Sequence, residues 1–348
     1  DPQISDHGGP DVHEEVVAGF DDPAGSGAKR HREVRGVEDG FVPDPDAADA
    51  LIDARHTHGG NHEIIEDIQR QPVTYNRLIM GSFILGRRIA AASQGQPQVG
   101  VLLPNAAGTL VTLFGLYAYG RVPAMLNFST GATNMAAACS AAQISTIVTS
   151  RRFIEMAEME ETLKIVSEGR RIIYLEDLRQ SLTLGDKLYG LWARNFAKTA
   201  LRLAGATRDA RTPAAILFTS GSEGVPKGVV LSHRNLNANR YQAAARIAFT
   251  AQDIVFNALP MFHAFGLTGG SLLPVLAGVR TFFYPSPLHY KVVPELCYDT
   301  NATILFGTDT FLMGYARNAH PYDFFNLRMV VAGAERVKPE TREIWMEK

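Results

Sequence analysis

From residue 75 onward the apolar positions switch between two spacings. Over 75–92, Leu78, Ile79, Phe83 and Ile84 recur near the helical repeat. The run Val99-Gly100-Val101-Leu102-Leu103 that follows has the length and continuity of a buried strand. The alternation goes on with a helix over 106–119, extended chain over 122–126, a helix over 133–142, a strand over 144–149, a charged helix over 152–167 and a strand over 171–175. Upstream, 48–54 reads as a helix and 63–67 as a short strand. Strands that alternate with helices predict an α/β fold, with mostly parallel sheets covered by helices. No fixed-period repeat runs through the chain, which excludes solenoids and propellers.

Two stretches, 89–120 and 254–278, lack Asp, Glu, Lys and Arg and look membrane-like at first. Pro104, Asn105, Asn257, Pro260 and Pro274 interrupt them, so neither offers the roughly 20 continuous apolar residues of a spanning helix. Both are expected in the core. The segment 186–204 is different. Leu188, Leu191, Trp192, Phe196 and Leu203 fall on one helical face, and Arg194, Lys198 and Arg202 on another. That pattern fits an interfacial helix lying on a membrane, or an amphipathic helix packed on its own domain.

Residues 1–47 are rich in Asp, Gly and Pro and poor in aromatics, and are expected to form a disordered or linker lead-in to a domain over 48–348. The net charge of −2 gives no electrostatic reason to expect a nucleic-acid partner. The 2 cysteines, Cys139 and Cys297, form no CxxC and no zinc-like spacing, which fits a reducing, cytoplasmic setting. No secretory signal is visible, and with Asp1 rather than Met as its first residue the chain is expected to be a piece of something longer.

The most informative stretch runs from Ala214 to His233. An apolar strand leads into Thr219-Ser220-Gly221-Ser222-Glu223-Gly224-Val225-Pro226-Lys227-Gly228, and a β-branched run leads out. Glycines let backbone N–H groups turn toward a polyanion, hydroxyls add donors, and Lys227 supplies the loop's one positive charge. This composition suits a triphosphate. It is not a Walker A loop, because Pro226 precedes the lysine, Gly228 follows it, and the context is strand–loop–strand.

The Thr219–Gly228 string resembles the phosphate-binding signature of the adenylate-forming, AMP-binding superfamily of acyl-CoA synthetases, luciferases and peptide-synthetase adenylation domains. The segment from Asn257 to Gly266 is similar to its motif at the acyl and adenine pocket, and Val331-Ala332-Gly333-Ala334-Glu335 to its adenine-side strand and turn. Four stretches resemble the synthetase half of bifunctional 2-acylglycerophosphoethanolamine acyltransferase/acyl-carrier-protein synthetases. They are the loop's Ser-Gly-Ser-Glu-Gly, the run from Tyr284 to Tyr290, Val293-Pro294-Glu295-Leu296 and Leu305-Phe306-Gly307-Thr308.

The resemblance implies ATP and Mg²⁺ as cofactors. It implies that Thr219, Ser220, Gly221, Ser222, Glu223, Gly224 and Lys227 hold or border the ATP phosphates, with Glu223 standing where many relatives carry Thr. Gly333, Ala334 and Glu335 would border adenine, and Phe262, His263 and Gly266 the acyl carboxylate. The implied reaction activates a fatty acid to acyl-AMP and passes it to the thiol of acyl carrier protein, feeding lysophospholipid reacylation. Coenzyme A is the alternative acceptor. A third reading is a non-catalytic, membrane-docked nucleotide-binding fragment, peripheral on the inner membrane. The chain stops at Lys348, before the family's Tyr-Gly-x-Thr-Glu motif and its C-terminal lid domain with a catalytic lysine, so it is expected not to turn over alone.

Other features read more plainly. His56, His58 and His62 surround Gly59-Gly60, a turn more than a metal site. His263 is either a pocket residue or a hydrogen-bonded core histidine, and Thr308 and Thr310 either N-caps or pocket residues.

Overall fold

The structure, a computed structural model, describes residues 45–93, 95–206, 209–220 and 226–348, so nearly all of the expected lead-in lies outside it. Asp46 caps α1 (Ala47–His58) by accepting from the Ala48 and Asp49 amides, and β1 (Glu63–Asp67) and β2 (Val73–Thr74) follow. Then α2 (Tyr75–Ala92), β3 (Gln98–Leu102), α3 (Ala107–Ala118), β4 (Val122–Met125), α4 (Ala132–Ala141) and β5 (Thr146–Thr149) alternate as the periodicity predicts. Next come α5 (Arg151–Met156), α6 (Glu160–Val166), β6 (Arg171–Tyr174), α7 (Leu175–Gln180), α8 (Leu184–Asn195) and α9 (Ala197–Leu203). The hairpin strands β7 (Pro213–Ser220) and β8 (Pro226–Ser232) lead to α10 (His233–Ala244) and β9 (Ile254–Asn257). A π-helix (Phe265–Leu272) runs into α11 (Leu273–Leu276), and β10 (Arg280–Phe283), α12 (Val292–Asp299), β11 (Ile304–Gly307), α13 (Asp309–Asn318), β12 (Met329–Ala332) and α14 (Pro339–Glu347) complete the order.

The strands form two sheets, ordered β12-β11-β9-β10-β1-β2 and β6-β5-β3-β4-β7-β8. Each is parallel except for one antiparallel edge strand, β2 or β8. The main core joins both sheets through α2 and α3: Leu78, Ile79 and Phe83 of α2 and Leu110, Leu113 and Phe114 of α3 share one cluster with Ile65, Val101, Leu217 and Phe283. The two charge-free stretches are spent in this core and on β9 and its sequel. No helix of the described residues is long and apolar enough to cross a membrane.

Two expected helices are broken. The one over 152–167 is α5 and α6, separated where Glu158 takes φ 51° and the Met159 amide bonds the Ile154 carbonyl at 2.9 Å. Nine residues of one straight helix would put Ile154 and Leu163 about 180° apart. The break lets both enter the same cluster under β5. The segment 186–204 breaks at Phe196, which ends α8 and starts α9. α8 packs on α2 while α9 packs on α1, a course that one straight helix would not follow.

Of the three histidines near Gly59, His58 and His62 lie against the Tyr75 ring, with centroids at 6.4 and 6.1 Å. His62 Nε2 also meets the Gly278 carbonyl at 2.9 Å.

Asp253 ties three strand starts together. Its carboxylate accepts from Arg328 Nε (2.7 Å), which precedes β12, from the Thr303 hydroxyl (2.7 Å), which precedes β11, and from the Thr250 amide (2.6 Å). Burial alone would raise its pKa, but the bonds from Arg328, Thr303 and Thr250 override that and hold it far below the usual carboxylate range. The folded value is depressed relative to about 3.9 in the unfolded chain, so this stabilisation is present above about pH 4 and is lost as pH falls below it. Asp253→Asn is expected to cost about 3 kcal/mol at neutral pH and to flatten the acid limb of the stability curve. Urea titrations at a series of pH values test this, and an unchanged acid limb would count against it.

Candidate active site

In open parallel sheets, ligands gather beyond the carboxyl ends of the strands, where loops lead away from the hydrogen-bonded ladder. The three sequence segments singled out above leave from such ends: β7, β9 and β12.

β7 and β8 form the strand–loop–strand expected from the sequence, in a register that sets Thr219 directly opposite Lys227 and Ser220 opposite Pro226. Opposed residues of an antiparallel pair project to one face. Thr219 and Lys227 are both exposed, and Lys227 forms no ion pair with another described residue. Gly228 lies opposite Phe218, whose ring would stand 3.5 Å from a Cβ added there. Gly221, Ser222, Glu223 and Gly224 lie outside the described residues. At the hairpin's far end, Ser232 and Asn235 cap α10 reciprocally, and His233 Nδ1 accepts the Ala47 amide at 3.1 Å.

The segment after β9 is held by buried polar groups. The Asn257 side chain is fully buried. It accepts from the Leu259 amide at 3.0 Å and donates to the Ser271 hydroxyl at 3.2 Å, which in turn donates to the Gly266 carbonyl at 2.7 Å. Gly266 is packed so closely that an added Cβ would stand 2.1 Å from the Pro260 carbonyl oxygen. That approach explains a glycine at this position of the motif. Phe262 is buried edge-on against Phe128 (4.8 Å), which follows β4, so the ends of the two sheets meet here. His263 is exposed beside the Phe262 ring (4.7 Å), and partial desolvation draws its pKa below the ordinary value. It is therefore not a core histidine. The following Phe265–Leu272 segment is a π-helix, a rare form that is frequent at functional sites.

The turn after β12 reaches the same place. The Phe265 ring covers Gly333, where a Cβ would stand 2.9 Å from its edge, and the Gly333 amide bonds the Gly307 carbonyl at 3.2 Å. Ala334 takes φ 68°, a left-handed conformation unusual for alanine. Glu335 turns back onto the start of α13. It accepts the Thr310 amide at 2.9 Å, and this bond, with others from the Thr308 and Thr310 hydroxyls, holds its carboxyl below the ordinary range. Thr308 thus occupies the N-cap position without capping the helix itself, and Glu335 does so in its place. Beside it, Asp309 is buried and accepts the Lys338 amide at 2.9 Å.

The structure thus brings Phe262, His263, Gly266, Gly333, Ala334 and Glu335 into one connected region through Phe265. Among the described residues no bond joins Thr219 or Lys227 to that region directly. An open depression of about 540 Å³ adjoins it through Thr310 and is lined also by Tyr290, Met313, Arg317 and Lys338.

Sequence reasoning missed Asn105. This buried residue, beyond the end of β3, donates to the Leu259 carbonyl and accepts the Met261 amide at 3.0 Å, clamping the β9 exit to the other sheet. Its signal was a polar break in an apolar run. Phe128 carried no signal at all. In the run from Tyr284 to Tyr290, Tyr284 bonds His289 at 2.6 Å and the Pro287 carbonyl accepts from Tyr315 at 2.9 Å, so the segment is a packed turn against α13.

A family model described as AMP-binding enzyme matches residues 53–348. The chain belongs to the AMP-binding enzyme family. Over 136 residues it is 32% identical to a long-chain-fatty-acid–CoA ligase of Yersinia pestis, a match covering 37% of this chain and 24% of that protein. Over 130 residues it is 33% identical to a medium-chain fatty-acid–CoA ligase of Escherichia coli (strain K12), covering 36% of this chain and 22% of that protein. These matches span less than a quarter of either relative. The AMP complex of O-succinylbenzoate coenzyme A synthetase from Bacillus subtilis superposes with a TM-score of 0.68 at 18% identity, over 86% of this chain and 56% of that one. At that identity the likeness establishes the fold. The α/β architecture of this AMP-binding family member is that of the large N-terminal portion of adenylate-forming enzymes.

Proposed function

We propose that residues 48–348 form the nucleotide- and acyl-binding platform of an ATP-dependent acid–thiol ligase that activates a fatty acid, with 1–47 as its lead-in. A fatty-acid carboxylate attacks the α-phosphorus of ATP, the bond to the β-phosphate oxygen breaks, and pyrophosphate leaves, giving acyl-AMP. A thiol then attacks the acyl carbon and AMP departs. The observation that carries this reading is the alignment of Thr219 with Lys227 across the β7–β8 hairpin, one strand over from Phe128, which touches Phe262 of the β9 exit.

In this scheme Thr219, Ser220, Gly221, Ser222, Glu223, Gly224 and Lys227 surround the phosphates. Gly333, Ala334 and Glu335 border adenine, and Phe262, His263 and Gly266 border the carboxylate. Catalysis of the first step is positioning and charge neutralisation at oxygens that gain negative charge. Lys227 is suited to this because its charge is not committed to another described residue. His263, held toward its neutral form by desolvation, does not add a second cation at neutral pH. The Mg²⁺ that accompanies ATP is bound largely by phosphate oxygens and water. The described residues offer no group of three His, Cys, Asp or Glu for a metal, so no step is assigned to it.

The names of the fatty-acid–CoA ligase relatives support a fatty acid and coenzyme A as substrates. Acyl carrier protein as acceptor, with a role in lysophospholipid reacylation, rests on the segments around Tyr284–Tyr290 and Leu305–Thr308.

The test is calorimetric titration of the chain with ATP and with a non-hydrolysable acyl-adenylate analogue. Lys227→Ala is expected to weaken nucleotide binding by about 1.5–3 kcal/mol, the worth of a hydrogen bond to a charged group, with an unchanged circular dichroism spectrum. Equal affinities would take Lys227 out of the site. Tighter binding of analogues as the acyl chain lengthens supports a fatty acid, and indifference to chain length would count against one.

A further inference from the structure

The amphipathic segment over 186–204 packs the opposite way round from an ordinary surface helix. Its inward face is made of small residues: Gly190, Ala193, Ala197 and Ala200 are buried, with Leu201. At Gly190 an added Cβ would stand 2.4 Å from the Ile84 side chain of α2, so α8 can lie this close only with its smallest residues facing in. The large apolar residues are thereby turned to solvent. Leu184, Leu188 and Leu191, at i, i+4 and i+7, are 72%, 58% and 42% exposed, and Phe196 and Leu203 are 56% and 74% exposed. Trp192 is half-buried between Tyr189 and Phe196, at ring distances of 5.9 and 6.1 Å. A contiguous exposed apolar ridge of this kind marks a contact surface.

The exposed charges within 184–206 have one sign. The only acid between 184 and 206 is Asp186. It is buried against Arg88 at 2.5 Å and capped by Thr183. Lys187 and Arg202 are exposed, Arg194 lies on the ridge's flank, and Lys198 pairs at the surface with Asp53 of α1 at 2.9 Å. At 12 residues, α8 is about 18 Å long, too short to cross the roughly 30 Å of a bilayer core.

We propose that the outer face of α8 and α9 docks flat on an anionic lipid bilayer. Leu184, Leu188, Leu191 and Phe196 enter the acyl boundary, Trp192 sits at headgroup level, and Lys187, Arg194 and Arg202 meet the lipid phosphates. A protein partner fits less well, because a ridge of leucines flanked by cations, whose own segment carries no exposed acid, offers a protein surface few complementary hydrogen bonds at its rim.

The experiment is flotation of the chain with phosphatidylcholine vesicles and with vesicles containing phosphatidylglycerol, alongside Trp192 emission with brominated lipid. The chain is expected to float with the anionic vesicles, and less so at high salt. Leu188→Ser with Leu191→Ser, both at exposed positions, is expected to lower partitioning at least about tenfold. Each neutralisation, Lys187→Gln or Arg202→Gln, is expected to lower it roughly fivefold. Brominated lipid is expected to quench emission of the unaltered chain and not of Trp192→Phe, a readout that holds even if the serine variant folds poorly. Failure to float with anionic vesicles, or flotation indifferent to the leucine pair, overturns the proposal. So does a lipid-free dimer in sedimentation velocity that the leucine pair abolishes, since the ridge would then join two copies of the chain.

Discussion

Gly86→Ala is expected to lower the stability of this protein by about 3 kcal/mol, although alanine is the better helix former by about 1 kcal/mol. Gly86 of α2 crosses Gly115 of α3 so closely that a Cβ on Gly86 would stand 2.3 Å from the Gly115 carbonyl oxygen and 2.7 Å from its carbon. Both obstacles are backbone atoms, which cannot swing aside as a side-chain end can. The reverse view is the same: a Cβ on Gly115 would stand 2.8 Å from the Ser82 carbonyl and 3.0 Å from the Gly86 amide. Relief requires the two helices to separate, and their side chains form the cluster that joins the two sheets. Steric cost therefore exceeds propensity gain. The matched control is Gly185→Ala in α8, where the nearest atom to a new Cβ is 3.6 Å away. There the propensity term should prevail and stability rise by a few tenths to about 1 kcal/mol. Urea midpoints of the two variants should move in opposite directions. Movement in the same direction would show that the crossing is not tight.

The second large effect is expected at Asn105. Its amide serves two backbone groups of the β9 exit, donating to the Leu259 carbonyl and accepting the Met261 amide. Asn105→Ala leaves both groups in a buried setting without partners, a loss of about 1–3 kcal/mol for each and about 3 kcal/mol together. The loss should not stop at stability. Phe262 and His263 follow Met261 directly, so the proposed acyl-adenylate contacts lose their support on the side of the sheet that contains β3. Weaker analogue binding should accompany faster exchange of the Met261 amide with solvent, while protection in β5 and β6 stays unchanged. Asn105→Asp keeps the acceptor but sets a buried carboxylate oxygen against the Leu259 carbonyl, and should cost at least as much as the alanine. Normal protection of Met261 in the alanine variant would refute the clamp.

Local pattern carried much of this protein into view. The runs around β3, β7 and β9, the helical spacing over α2 and the Thr219–Gly228 string are properties of neighbouring residues, so strand, helix and strand–loop–strand hairpin were legible before any fold was known. The family could be named from three short strings for the same reason. What was not legible depended on residues distant in the chain. Asn105 meets Leu259 and Met261 across more than 150 positions. Glu335 spends its carboxylate on the start of α13, and Phe265 covers Gly333. The breaks at Glu158 and Phe196 answer to which neighbours α6 and α9 must reach. The direction of α8 was decided last of all. An amphipathic stripe says only that one face differs from the other, and it took the close approach of Gly190 to Ile84 to turn the alanines inward and the leucines to solvent.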